Sequence, residues 1–111
     1  MNNKLNGLVI DPEGNKRWYK DGLLHKEDGP ACEYADGSKS WWKNGSLHNE
    51  KGPAFLRFNG DEEWYKNGYR HREDGPAIIG HYGKSWFSNG KKLEVNSLEE
   101  FKRLINLKLF W

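Results

Sequence analysis

The sequence predicts an all-β chain: an antiparallel array of β-hairpins, about four copies laid out as a meander or solenoid, with one C-terminal α-helix. Three observations predict it. Gly14, Gly37, Gly60 and Gly83 recur every 23 residues, Trp18, Trp41 and Trp64 keep that step, and Trp86 comes one residue early. A fixed period of roughly 20–50 residues marks a repeat architecture, in which stacked copies bury what one copy cannot. Asp21-Gly22, Asn44-Gly45, Asn67-Gly68 and Asn89-Gly90 then follow each tryptophan. Such pairs favour two-residue hairpins, whose turn needs positive φ at both positions. Finally, Ser97 with Glu100 three residues later is a capping-box signature. Leu98, Phe101, Leu104, Ile105 and Leu109 beyond it fall on one side of a helix.

Composition narrows the class. With 111 residues the chain makes one domain with a modest core. Leu, Ile and Val are sparse outside the two ends, while six Trp, five Tyr and five Phe supply large rings. The interior must therefore rest mainly on rings, each burying roughly 150–250 Å². A net charge of +2 with interspersed signs commits the chain to neither nucleic acid nor membrane. The single Cys32 excludes an intramolecular disulfide and fits a reducing compartment. No apolar run is long enough to span a bilayer, and no charged-then-apolar leader opens the chain. The expectation is a soluble, cytoplasmic protein.

In order, residues 1–8 read as a loose lead-in with Leu5 and Leu8 docking on the first copy. Residues 1–93 hold the repeats, in copies 9–31, 32–54, 55–77 and 78–93, and 94–111 hold the capping helix, helical from Leu98 to about Leu109. Copy two shows the pattern: a strand from Ala31 to Tyr34, a turn at Asp36-Gly37, a strand from Ser38 to Lys43, and a turn at Asn44-Gly45. Turn glycines eight apart leave strands of about five or six residues.

Adjacent aromatics, Trp18-Tyr19, Trp41-Trp42, Trp64-Tyr65 and Trp86-Phe87, point to opposite faces of a strand. The first of each pair is expected to stack copy on copy in a buried ladder, so that Trp41→Ala or Trp64→Ala costs about 3–5 kcal/mol. The second members, Tyr19, Trp42, Tyr65 and Phe87, form a row on the other face. His25-x-Glu27, His48-x-Glu50 and His71-x-Glu73 precede Gly-Pro-Ala at Ala31, Ala54 and Ala77. Recurrence at each junction assigns them to the junction: His to a backbone group of the next copy, Glu to a nearby Lys or Arg. Proline forces an extended entry to the next strand, and the small alanine lets copies approach closely. Copy four lacks a residue between Gly83 and Trp86 and carries Lys92-Leu93 where His is expected, as a terminal copy can.

Chemistry is sparse. Zinc needs three or four converging ligands, whereas the His-x-Glu pairs come one per copy. Cys32 shares its repeat position with Val9, Phe55 and Ile78 and reads as core rather than nucleophile. Carboxylates belong to repeated loops, and no glycine-rich loop opens a helix. The expectation is no enzyme, no cofactor and no metal.

Binding is the better fit. Tyr19, Trp42, Tyr65, Tyr69, Arg70 and Arg72 are candidate partner-binding residues, of the types enriched in interface hot spots. The alternative is single-stranded nucleic acid or a nucleotide ligand, with rings stacking on bases and Lys or Arg on phosphates. Leu107, Phe110 and Trp111 fall outside the helical stripe and suggest a homodimer through the C-terminal helix.

W-[YWF]-x-[ND]-G followed by H-x-E-x-G-P-A, on the 23-residue period, resembles the variant MORN repeats of bacteriophage and bacterial proteins over about Val9 to Leu93. The resemblance implies one antiparallel hairpin per copy and a protein-interaction role, including antitoxin-like ones. By its phage versions it implies a small accessory protein that inhibits a host defence or toxin component in the host cytoplasm. The Tyr-x-Gly-rich pattern of the phosphoinositide-linked MORN repeats is not reproduced, so no membrane role is implied.

Overall fold

The computed structural model describes residues 4–107. Copy one supplies β1 (Gly7–Ile10), β2 (Lys16–Lys20) and β3 (Leu23–Leu24). Copy two supplies β4 (Cys32–Glu33), β5 (Lys39–Ser40), β6 (Trp42–Lys43) and β7 (Ser46–Leu47). Copy three repeats this as β8 (Phe55–Leu56), β9 (Glu62–Glu63), β10 (Tyr65–Lys66) and β11 (Tyr69–Arg70). Copy four has β12 (Ile78–Gly80), β13 (Gly83–Ser88) and β14 (Lys91–Leu93), and α1 (Leu98–Leu107) follows. All pairing is antiparallel, and the main sheet runs β1-β2-β4-β5-β8-β9-β12-β13-β14 with β3 on β2. The predicted all-β hairpin array with one C-terminal helix is the observed fold.

Each inner copy's first strand lies between its own second strand and that of the copy before, as β4 lies between β2 and β5. The second strands do not run unbroken from Ser38 to Lys43 as expected. At Trp41 the backbone changes partner: its N–H donates to Ala54 C=O at 2.7 Å, and its C=O accepts from His48 N–H at 3.0 Å. The ladder before that point belongs to the next copy, and the ladder after it to the arm β6–β7.

The arm turns match expectation, with Asn44 at φ 49° and Gly45 at φ 84°. The first turns do not. Around Ala35-Asp36-Gly37 only Gly37 has positive φ, at 95°, and Asp36 instead accepts the Ser38 N–H on its carboxylate at 2.8 Å. This is a three-residue loop ending in a left-handed residue, the next commonest hairpin connection. In copy four Gly80 pairs with Gly83 across a two-residue turn, so the missing residue lies inside that turn. Gly83 thus occupies the place of Ser38 rather than Gly37, and its 23-residue phase is a coincidence of the deletion.

The lead-in is held rather than loose. Leu5 C=O accepts the Gly22 N–H at 2.8 Å, and Asn6 Oδ1 accepts the Asp21 N–H at 3.0 Å. The side chains of Leu5 and Leu8 stay about half exposed, so the docking expected of them is done by backbone.

No buried tryptophan ladder exists. Trp18, Trp41 and Trp64 are half-buried, and none stacks on another. Burial along the array instead falls on Ala31, Ala54 and Ala77, each 0 % exposed, with the thiol of Cys32 beside them. Their carbonyls accept the N–H groups of Trp18, Trp41 and Trp64 at 2.8, 2.7 and 2.6 Å. The apolar cluster proper sits at the C-terminal end, from Trp86, Leu93, Val95 and Phe101, with Leu104 and Ile105 against it. Ser97 Oγ accepts the Glu100 N–H at 3.2 Å, capping the helix that delivers Phe101 to Trp86. No helix among the described residues is long and apolar enough to cross a membrane.

Candidate functional site: the copy junctions and the aromatic strand face

Each junction is built around one imidazole. His25 Nδ1 accepts the Asn44 N–H, His48 Nδ1 the Asn67 N–H, and His71 Nδ1 the Asn89 N–H, all at 2.9 Å. A nitrogen that accepts a peptide N–H carries no proton, so the proton sits on Nε2. That nitrogen donates to Glu27 and Glu50 at 2.7 Å and to Glu73 at 3.4 Å. The expected bond from His to the next copy's backbone is present; the expected Glu partner, a Lys or Arg, is replaced by the histidine of the same loop. This hydrogen bond holds the carboxyls of Glu27 and Glu50 below the usual range, with Lys43 assisting at both.

A second row of side-chain bonds was missed by sequence reasoning. Asn15 Oδ1 accepts the Ala35 N–H at 2.8 Å, and Ser38 Oγ accepts the Phe58 N–H at 3.0 Å. The same repeat position at Asp61 reaches His81 in copy four, at 3.2 Å. The 23-residue spacing of 15, 38 and 61 was the available signal, hidden because the residue type changes each time.

Between successive loops lie three equivalent clefts. The first, about 450 Å³, is lined by His25, Glu27, Trp41, Trp42, His48 and Glu50 among others. The next, about 360 Å³, repeats it with Trp64, Tyr65 and Arg72. In the third, of about 430 Å³, helix α1 supplies Lys102, Ile105 and Asn106 in place of a fourth loop. Among the described residues no three His, Cys, Asp or Glu side chains converge as metal ligands would.

Tyr19, Trp42 and Tyr65 hold the same register position in successive copies, opposite Leu24, Leu47 and Arg70. Trp42 Nε1 donates to Ser40 Oγ at 2.7 Å, and Tyr65 Oη donates to Glu63 at 3.0 Å, each tying the ring to the residue two before it. Arg70 joins Tyr65: its Nε donates to Tyr65 Oη at 3.3 Å, and its guanidinium lies 5.4 Å from the Phe87 ring centre. Partial burial pushes the Tyr65 hydroxyl above its ordinary value. Tyr69 is exposed and leans on the Asn89-Gly90 turn. Arg72 stands apart from these. Its guanidinium lies 3.8 Å from the Trp64 ring centre, its Nε donates to Asp74 at 2.9 Å, and one terminal nitrogen donates to Pro76 C=O. Leu107 is exposed at the end of α1, whereas Phe110 and Trp111 lie outside the described residues.

Compared with known proteins, the chain matches no protein-family model, no curated protein and no solved structure.

Proposed function

We propose that this chain is a non-enzymatic protein-binding module of the variant-MORN kind, a small phage accessory protein that grips and inhibits a host defence or toxin component. One observation carries the binding reading. Three copies in a row present a ring at the same register position, Tyr19, Trp42 and Tyr65, and none of the three is fully buried. The helix spends its apolar side chains on Trp86, Leu93 and Val95. Trp42 and Tyr65 are each anchored by a hydrogen bond to the residue two before, and such amphipathic rings lose little side-chain entropy when a partner covers them.

The test is capture from bacterial lysate by the wild type and by Trp42→Ala/Tyr65→Ala. The double variant should lose the captured protein while remaining a folded monomer. Unfolding of the variant would make those rings structural and remove the reading. So would tight binding of short oligonucleotides that weakens steeply between low and high salt, the mark of phosphate contacts.

A further inference from the structure

The residue after each junction histidine differs between copies: Lys26, Asn49 and Arg72. Two of the three are cations placed on an indole. Lys26 Nζ lies 3.8 Å from the Trp18 ring centre, and Arg72 Cζ 3.8 Å from that of Trp64. Asn49 carries no charge, and its amide is turned to Pro53 C=O at 2.9 Å, the carbonyl equivalent to the one Arg72 reaches. Trp86 takes Phe101 as its ring partner, at 5.1 Å. Among the described residues, Trp41 is therefore the one repeat tryptophan whose ring meets neither a cation nor another ring.

We propose that the cleft between copies one and two is a binding site for a cationic side chain, a lysine or arginine of a partner protein, seated on the face of Trp41. The inference rests on the protein-binding reading above and names the chemistry of the partner's anchor. The cleft of about 450 Å³ is lined by Trp41 and Trp42, by the carboxylates of Glu27, Asp28 and Glu50, and by Lys26, Lys43 and Lys51; Glu27 and Glu50 are the two carboxylates bonded to the junction histidines. Glu27 and Glu50 are 74 % and 65 % exposed at their side chains, yet each is fixed by its histidine, so they are pre-positioned without being used up. A neutral apolar guest would desolvate them at a cost. A cation gains from both the ring and the carboxylates. Lys26, Lys43 and Lys51 also line the cleft and compete for its carboxylates, but Lys26 is seated on Trp18 and none of the three lies over the Trp41 ring. The chain makes the same contact with its own side chains at Trp18 and Trp64, which shows that the local backbone accommodates it.

The experiment titrates acetyl-Gly-Arg-Gly-amide into the full chain and follows the Trp41 indole N–H by two-dimensional NMR. The Trp41 resonance should shift saturably, and the neutral citrulline peptide should bind about three- to thirtyfold more weakly, the range set by the loss of a cation–ring contact. Asn49→Arg, which would copy the arrangement at Trp64, should abolish the response by occupying the ring from within; Asn49→Lys is the second variant should the first misfold. Failure of the arginine peptide to move Trp41, an equal response to citrulline, or an undiminished response in a folded Asn49 variant each overturns the proposal. A silent Trp41 alongside intact capture through Trp42 and Tyr65 sinks this site alone; a working site without capture sinks the broader reading instead.

Discussion

The junction histidine is the residue on which copy meets copy. Its neutral imidazole satisfies a peptide N–H of the following turn with one nitrogen and a carboxylate with the other, a pairing no aliphatic residue can supply. Asn6 does the first of these jobs for copy one with an amide oxygen, so the essential feature is an acceptor at that point. His48→Ala should leave the Asn67 N–H without its partner and cost about 1–3 kcal/mol in urea unfolding, the usual penalty for an orphaned polar group. A loss of only a few tenths would mean that water takes the place of the imidazole. The role of His was legible in the sequence because the residue recurs at an invariant distance from each turn. The partner of Glu was not legible, because many bases lie within reach of an exposed carboxylate and only the folded loop shows that the histidine is nearer.

Among the elements, helix α1 and copy four differ most from the rest. There the array gains a true apolar cluster, with Phe101 at 0 % exposure against Trp86. Phe101→Ala should cost about 3–5 kcal/mol, the range for removing a buried large aromatic. Trp41→Ala should cost distinctly less, because its ring is half-buried and has no ring or cation across it. Comparing the two thermal or urea midpoints checks this, and equal losses would restore the buried ladder. The helix itself was plain from its cap and stripe. Strand lengths were not: turn spacing suggested five or six residues, whereas the switch of partner at each inner tryptophan divides the strand into two-residue pieces.

Seen whole, the molecule is a slab with principal extents of 49 × 33 × 18 Å and a radius of gyration of 16.0 Å, against about 13 Å for a compact domain of this length. So little interior makes surface polar contacts matter more, and acid should expose that dependence. The Asp11 carboxylate accepts from the Asn15 amide, the backbone N–H groups of Asn15 and Glu13, and Arg17. Those bonds, that of the Asn15 side chain first, lower its pKa from 3.8 to about 2. Glu27, Glu50 and Asp74 shift in the same direction, the last through Arg72. A lowered folded pKa means that the unfolded chain binds more protons in that range, so the stabilisation is complete above the unfolded value and lost as pH falls through the folded one. For Asp11 that window runs from 3.8 down to about 2. Asp11→Asn should be less stable than wild type at neutral pH, with the difference shrinking across that window; a difference constant with pH would refute the assignment.

By itself the sequence determined the period, the arm turns and the terminal helix. Each of these follows from local backbone preference or from a spacing that the chain repeats. Only the tertiary structure decided where the tryptophans go. Ring contacts depend on the side chain that follows the junction histidine, or on the helix, and these differ: Lys26 and Arg72 cover their rings, Asn49 turns away, and Phe101 meets Trp86. Periodicity fixes where a ring starts, whereas packing against non-identical neighbours fixes what it touches.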